Sequence, residues 1–200
     1  MSESASHQPS LYYDQRFQRE AAKILPGQYY VTGRDMLIVT VLGSCVAACI
    51  RDPIEKVGGM NHLMLPELRS DDPDAISSPA RYGNYAMELL INHVIKAGGQ
   101  RHRLQAKVFG GGQVLADLTF SKVGEQNAAF VASYLHKEGI DILAQDLLDV
   151  YPRKVYFFPA SGRVMVKRLK SAHNDTIVQR ECEYIARLNR DKVAGDVDLF

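Results

Sequence analysis

The stretch at residues 37–66 constrains the fold of this chain more than any other part of its sequence. Two apolar runs, at residues 46–50 and 57–64, flank the polar segment Arg-Asp-Pro-Ile-Glu-Lys at residues 51–56. Apolar runs of this length on either side of turn-forming residues are typical of a β-hairpin. The run at residues 36–42 is continuous and rich in β-branched residues, which favours a further strand buried on both faces. We therefore expect a sheet at the centre of the fold.

The same hairpin holds a cysteine and a histidine at positions that can face each other. With a turn centred between Pro53 and Ile54, Cys45 lies directly opposite His62, and directly opposed residues have Cβ atoms ~4.5–5.5 Å apart. A thiol and an imidazole at that spacing can act as a nucleophile and its general base. A bulge or a shifted turn would change this register, so the pairing is a hypothesis about geometry.

Side-chain alternation within the hairpin predicts a layered fold. Both faces of its first strand are apolar, which requires a sheet covered on both sides. One face carries Cys45, Ala47 and Cys49, and the other carries Val46, Ala48 and Ile50.

Further strands are predicted at residues 29–32, 104–109, 140–148, 155–158 and 164–169, and helices at residues 80–97, 125–137 and 174–188. Strands outnumber helices and hairpins dominate, which favours an α+β layered sandwich over a doubly wound parallel sheet. We expect mostly antiparallel or mixed sheets, two outer helices and a C-terminal helix.

Composition excludes several classes of function. Hydrophobic residues make up 46% of the chain and charged residues 24%, and the net charge is +1. This balance gives no reason to expect nucleic acid or an anionic membrane as the main partner. No apolar run approaches the ~18 residues that a transmembrane helix needs, so we expect no membrane insertion. The three cysteines are too few for a disulfide framework, and the N-terminus lacks a secretory signal, which together favour the cytoplasm.

The chain divides into three predicted parts. Residues 1–24 are polar, with a few scattered aromatics, and we expect most of them to form a mobile extension. Residues 25–170 hold the strands and two helices of one domain. Residues 171–200 form a C-terminal extension that carries the last helix.

A catalytic Cys-His pair needs a third group that orients the imidazole, and donors that bind an oxyanion. The hydroxyl of Thr40 is a candidate for the first role, and the N–H groups of the Gly43-Ser44 turn around Cys45 are candidates for the second. The ordinary explanation of such residues is structural, because buried cysteines are usually inert and a lone histidine usually packs. The residues alone leave both explanations open.

Other cysteines and glycines have structural explanations. Cys49 follows Cys45 by four residues on the same strand face, ~13 Å away, which is too far for the two to share a zinc ion. We therefore predict that Cys49 belongs to the core and that there is no metal site. The run that begins with Gly110 and Gly111 can bring the backbone close to a substrate, although a tight exit from a strand explains such glycines equally well.

These residues resemble a known family. The motif Thr-Val-Leu-Gly-Ser-Cys at residues 40–45, followed by Gly-Gly-Met-Asn-His-Leu-Met-Leu-Pro at residues 58–66, is similar to the signature of the chemoreceptor glutamine deamidases, the CheD family. The similarity extends to Leu-Pro-Gly at residues 25–27, Arg-Tyr-Gly at 81–83, Phe-Gly-Gly-Gly at 109–112 and Phe-Pro-Ala-Ser-Gly-Arg at 158–163. It covers about residues 25–170.

The resemblance implies a layered α/β sandwich and a hydrolase that needs no cofactor. Such an enzyme converts particular glutamines of methyl-accepting chemotaxis receptors to glutamate and releases ammonia. The catalytic residues of the family fall on Cys45, His62 and Thr40 of this sequence. The residues expected at the substrate or the oxyanion are Ser44, Gly43, Gly110 and Gly111.

The resemblance also implies partners. The cytoplasmic helices of the receptors are the expected substrate, and a chemotaxis phosphatase, which binds some members of the family, is a further candidate. Neither nucleic acid nor membrane insertion is expected.

Two other classes of function stay open. Another Cys-His acyl hydrolase, such as a receptor methylesterase or a peptidase, would form the same thioester and differ only in its leaving group. A module that mainly docks on receptors or on the phosphatase would need no intact catalytic set. The presence of Cys45, His62 and Thr40 argues against a vestigial site.

Overall fold

Two five-stranded sheets lie face to face in the computed structural model, which describes residues 8–65, 77–114, 122–169 and 174–191. The first sheet contains, in spatial order, β1 (Ser10–Asp14), β2 (Arg19–Lys23), β4 (Leu37–Leu42), β9 (Arg153–Phe158) and β10 (Arg163–Arg168). The second contains β3 (Tyr29–Thr32), β6 (Val57–Asn61), β5 (Val46–Asp52), β7 (Gln105–Gly110) and β8 (Asp141–Leu147). The helices are α1 (Ser77–Lys96), α2 (Val123–Lys137) and α3 (Asn174–Asp191).

The predicted α+β sandwich is confirmed. Both sheets are mixed, because β2 pairs with β4 and β7 pairs with β8 in parallel, while the remaining neighbours are antiparallel. Helices α1 and α2 pack on the outer face of the second sheet. The predicted C-terminal helix is present as α3. None of the helices in the described part of the chain is long and apolar enough to cross a membrane.

The two apolar faces of β5 separate two cores, as the alternation predicts. One face packs against α1 and α2, and the other lies between the sheets, where it meets residues of β4 and β9. The face towards the helices carries Val46, Ala48 and Ile50, and the face between the sheets carries Ala47 and Cys49, with Cys45 just ahead of the strand. The side chain of Cys49 is 2% exposed, which confirms that this cysteine belongs to the core.

The N-terminal segment differs from its prediction. Residues 10–23 of the expected mobile extension form a hairpin, and β2 pairs in parallel with β4, so that Ala21 lies beside Leu37. Ala21 and Ala22 are buried, and the Phe17 ring packs edge-on against Tyr156. The polar composition of this segment fits its place in the sheet, because β1 is an edge strand that exposes most of its side chains.

The polar segment at residues 67–78, whose sequence predicts an exposed loop, lies mostly outside the described residues. Helix α1 begins at Ser77 and therefore takes in the last two residues of that segment. The strands predicted at residues 155–158 and 164–169 form as β9 and β10, and they pair as a hairpin with Phe158 opposite Arg163 across the turn.

Candidate active site

Cys45 and His62 lie just outside the strands β5 and β6, on the side of the hairpin that faces the first sheet. The predicted register is wrong by two residues, since Cys49 pairs with Met60 and the turn is centred one residue later than expected. Side chains alternate along a strand with a period of two, so this shift keeps Cys45 and His62 on one face. The thiol sulfur and an imidazole nitrogen lie within 4.8 Å of each other. The two groups therefore meet as diagonal neighbours.

Thr40 of β4 determines which nitrogen of the His62 ring carries the proton. Its Oγ1 lies 2.9 Å from the carbonyl oxygen of Ile24 and 2.7 Å from His62 Nδ1. The single hydroxyl hydrogen goes to the carbonyl, which can only accept, so the hydroxyl oxygen accepts a hydrogen bond from Nδ1–H. This tautomer leaves a lone pair on Nε2, which is buried and has no hydrogen-bond partner among the described residues. His62 is thus poised as a base through Nε2.

The backbone on both sides of the His62 ring is held by the turn at residues 25–28. Gly27 N–H donates to the carbonyl oxygen of His62 at 2.8 Å, and His62 N–H donates to the carbonyl oxygen of Gln28 at 2.9 Å. Gly27 has a φ of +79°, which glycine adopts without strain. The Leu-Pro-Gly segment therefore supports the position of the imidazole.

The turn at residues 43–45 is held from behind through its three carbonyl oxygens. Gly112 N–H donates to the carbonyl oxygen of Gly43, and Gly111 N–H donates to that of Cys45, at 2.8 Å each. Asn127 of α2 donates its Nδ2–H to the carbonyl oxygen of Ser44 at 2.9 Å, and its Oδ1 accepts a hydrogen bond from Leu65 N–H at 2.9 Å. With all three carbonyl oxygens bound, the conformation of the turn is fixed.

Gly110 and Gly111 adopt φ values of +112° and +68° as the chain leaves β7. A Cβ atom at residue 110 would overlap the carbonyl oxygen of Cys45, and one at residue 111 would lie 2.8 Å from the carbonyl oxygen of Gly124. The N–H group of Gly111 already binds the turn, so it is not free to bind an oxyanion. We infer that both glycines support the turn from behind.

The N–H groups of the turn converge on one carboxylate, that of Glu181 in α3. Gly43 and Cys45 donate to Oε1 at 2.9 and 3.2 Å, and Ser44 donates to Oε2 through its N–H at 3.0 Å and through its hydroxyl at 2.6 Å. Three successive N–H groups in this arrangement form an anion-binding concavity. Such a concavity beside a thiol has the geometry of an oxyanion hole.

Sequence reasoning missed Asn127 and Glu181, although each left a signal. Asn127 is completely buried next to Ala128, in the apolar stripe of α2. Glu181 lies one helical turn after Ile177 and one before Ile185, so it interrupts the apolar stripe of α3 with a charge. A polar residue at such a position is expected to have a specific buried partner.

Both catalytic candidates are electrically neutral in this arrangement. Burial raises the pKa of the Cys45 thiol well above its ordinary value, and the negative charge of Glu181 and a hydrogen bond to it raise it further. Burial also lowers the pKa of His62 to about 3. A neutral imidazole can accept a proton, but the neutral thiol is a poor nucleophile until its proton leaves.

The three side chains also resemble a metal site. One atom each from Cys45, His62 and Glu181 lies within a mutual distance of 4.8 Å. The carboxylate, however, already accepts four hydrogen bonds, which occupy its roughly four lone-pair positions. The donors around Glu181 thus account for its position without a cation.

A small cavity of about 20 Å³ lies beside the His62 ring. It is bounded on one side by Ile24 and Leu25 and on the other by Ile177 and Glu181 of α3. A space of this size holds about one water molecule.

Comparison with known proteins gives consistent matches. Residues 64–168 match the family model described as "CheD chemotactic sensory transduction". The chain is 59% identical over 191 residues to the "Probable chemoreceptor glutamine deamidase CheD" of Herminiimonas arsenicoxydans, covering 96% of this chain and 94% of that protein. It is 54% identical over 198 residues to a Shewanella oneidensis protein named "Probable chemoreceptor glutamine deamidase CheD 1", covering 99% and 96%. A solved structure, the Bacillus licheniformis hypothetical protein YfiH, matches with a TM-score of 0.37 and 11% identity over 61% of this chain and 51% of that one, which is too weak to support an argument.

Proposed function

Because this chain belongs to the CheD family, whose members are named chemoreceptor glutamine deamidases, we propose that it hydrolyses the side-chain amide of glutamines in chemotaxis receptors through a thioester on Cys45. The observation that carries the proposal is one arrangement of three groups. The Cys45 thiol lies within 4.8 Å of a ring nitrogen of His62 and beside converging N–H groups, and the hydrogen bond to Thr40 leaves His62 Nε2 unprotonated.

The first half of the reaction follows from these positions. His62 Nε2 takes the proton of the Cys45 thiol, and the sulfur attacks the carbonyl carbon of the glutamine side chain. The oxyanion that forms is bound by the N–H groups of Gly43, Ser44 and Cys45. His62 returns the proton to the nitrogen, the C–N bond breaks, ammonia leaves and a thioester remains.

The second half regenerates the enzyme. His62 Nε2 takes a proton from water, and the hydroxide attacks the thioester carbon. The C–S bond breaks, the proton returns to the Cys45 sulfur, and a glutamate side chain is released. Thr40 holds the ring throughout by accepting the Nδ1–H bond, a weaker orienting group than a carboxylate because it is neutral.

The receptor partner follows from the proposed substrate. We propose that the cytoplasmic helices of methyl-accepting receptors bind at this site, which assigns the protein to the cytoplasm. We also propose a chemotaxis phosphatase as a partner, and the support for it is the resemblance of this sequence to a family in which some members bind such a phosphatase.

The test is mass spectrometry of receptor fragments incubated with the protein, together with an assay of free ammonia. Particular glutamines should gain the mass that separates a carboxylic acid from its amide, and ammonia should appear in equal amount. Cys45→Ala should abolish both signals. Cys49 is a second buried cysteine on the same strand face, and Cys49→Ala should leave most of the rate.

Release of methanol or cleavage of the backbone in place of ammonia would identify a methylesterase or a peptidase. Restored swimming of a chemotaxis-defective host by Cys45→Ala would favour a docking module.

A further inference from the structure

Helix α3 presents a glutamate side chain to the candidate active site. The product of the proposed reaction is also a glutamate side chain on a helix. The Glu181 carboxylate accepts all three backbone N–H groups of the turn, which are the donors that the proposed mechanism gives to the oxyanion. One of its carboxylate oxygens lies within 4.8 Å of the Cys45 sulfur and of a ring nitrogen of His62.

The burial of Glu181 shows that this contact is specific. Its side chain is 3% exposed, and the donors in its four hydrogen bonds are neutral groups of Gly43, Ser44 and Cys45. Burying a carboxylate costs several kcal/mol unless hydrogen bonds replace its lost hydration. The turn supplies those bonds, so α3 is positioned by a site that is built to hold a carboxylate.

Apolar contacts hold the same helix over the entrance to the site. Ile177 and Tyr184 are each 8% exposed, and Tyr184 belongs to the core between the sheets. Its ring lies where a Cβ atom of Gly27 would be, and its hydroxyl is hydrogen-bonded to that of Tyr82. Because Gly27 also binds the backbone of His62, α3 covers the elements that position the base.

The cavity that remains beside His62 is about 20 Å³, room for about one water molecule. In the proposed mechanism a glutamine from another protein needs the N–H groups of the turn, and Glu181 occupies all three of them. The carboxylate also raises the pKa of the Cys45 thiol, which makes the nucleophile less reactive while α3 is in place. Closure of the site by α3 and receptor binding are therefore mutually exclusive.

We propose that α3 is an internal product analogue: its Glu181 carboxylate occupies the position of the product's glutamate, and the enzyme acts on receptors only when α3 leaves the site. This inference rests on the proposed deamidase function. It assigns residues 174–191 a regulatory role and gives the position of a substrate side chain relative to the turn.

A carboxamide at residue 181 provides the sharpest test. In Glu181→Gln the side chain of α3 becomes an internal substrate, so Cys45 should attack it, release ammonia and, after attack by water, restore a glutamate. Mass spectrometry of the peptide that contains residue 181 should show the mass of the acid, at a rate independent of protein concentration. The double variant Glu181→Gln, Cys45→Ala should keep the mass of the amide.

Release of α3 provides a second test, on a receptor fragment. If the closed form holds nine-tenths of the molecules, freeing the site raises activity about tenfold, and we expect this rise in both Glu181→Ala and Tyr184→Ala. Glu183→Ala is the matched control, since Glu183 lies on the exposed face of α3 and bonds only to Gln179 among the contacts described. Its rate should equal that of the wild type.

The outcomes separate the two proposals. Receptor deamidation by the wild type with an equal or lower rate in Glu181→Ala would overturn the product-analogue role, because the carboxylate would then support the turn. Lack of conversion at residue 181 in a Glu181→Gln protein that still deamidates receptor would overturn it as well. If neither the wild type nor any variant deamidates receptor glutamines, the proposed function itself fails.

Discussion

His62 donates its Nδ1–H to the hydroxyl of Thr40, at 2.7 Å, because that hydroxyl gives its own hydrogen to the carbonyl oxygen of Ile24 at 2.9 Å. One backbone carbonyl thereby determines the tautomer of the base, through a side chain that can act as donor and acceptor at once. Nε2 has no hydrogen-bond partner among the described residues, and a ring nitrogen of His62 lies within 4.8 Å of the Cys45 sulfur. A carboxylate would orient the ring too, but would also favour its charged form.

Thr40→Val should lower kcat, because it removes the acceptor for Nδ1–H and leaves a buried polar group unpaired, at a cost of about 1–3 kcal/mol. If that cost appears in the transition state, kcat falls by about one to two orders of magnitude. Thr40→Ser keeps the hydroxyl and should stay close to the wild type. The measurement is steady-state ammonia release from a receptor fragment, with thermal unfolding as the check of folding. Equal rates for the two variants would contradict the orienting role.

Asn127→Ala should weaken both the fold and the catalysis. The substitution leaves the carbonyl oxygen of Ser44 and the N–H of Leu65 without their partners, and each unpaired buried group costs about 1–3 kcal/mol. Urea unfolding should show the loss of stability, and kcat should fall more than KM rises because the turn that binds the oxyanion loosens. Gln126→Ala, at the exposed neighbouring position of α2, is the control and should change neither.

The local part of the site could be predicted from the sequence. The alternation of side chains along β5 placed Cys45 and Cys49 on one face, which lies between the sheets in the structure. A register shift of two residues leaves this result unchanged, because side chains alternate with a period of two. The register itself could not be read from the apolar run at residues 57–64. The regular ladder of β6 is interrupted after Met60, where the Asn61 side chain accepts from Ala48 N–H, and it resumes in the same register where Leu63 pairs with Val46.

The distant part of the site could not be predicted. Glu181 meets the turn across 137 residues of sequence, and Asn127 meets it across 83. A hydrophobic pattern reports which face of a helix is buried, but it carries no information on which element covers that face. A buried polar residue in the stripe signals only that a partner exists. The N-terminal hairpin was missed for the related reason that edge strands are polar.

Glu181→Ala should make Cys45 more reactive towards iodoacetamide near neutral pH. The carboxylate raises the pKa of the thiol through its charge and its hydrogen bond, so its removal lowers the pKa and increases the fraction of thiolate, the form that is alkylated. The variant also opens access to the site. Cys182 is exposed, so Cys182→Ser is used as the background for all proteins.

Labelling at each cysteine is followed by mass spectrometry over a series of pH values. The midpoint of Cys45 labelling should move to lower pH in Glu181→Ala. Cys49, whose pKa is raised by burial and lowered in part by the charge of Lys107, should stay unlabelled in both proteins and serves as an internal control. An unchanged midpoint at Cys45 would contradict the coupling between Glu181 and the thiol.

Asp52→Asn should destabilise the fold in a way that depends on pH. Burial alone would raise the pKa of Asp52, but hydrogen bonds from the Arg103 side chain and from the N–H groups of Gln100, Glu55 and Ile54 outweigh it and bring the pKa well below its usual range. A group with a lowered folded-state pKa stabilises the protein fully above its unfolded pKa of about 4, and this contribution is lost as the pH falls through the folded pKa.

Hydrogen bonds to a buried charge contribute about 1.5–3 kcal/mol, so Asp52→Asn should lose about that much stability at pH 7. The difference from the wild type, measured by urea unfolding, should shrink below about pH 4. Glu55→Gln, which removes only a partly exposed partner of Arg103, is the control and should change stability little at either pH.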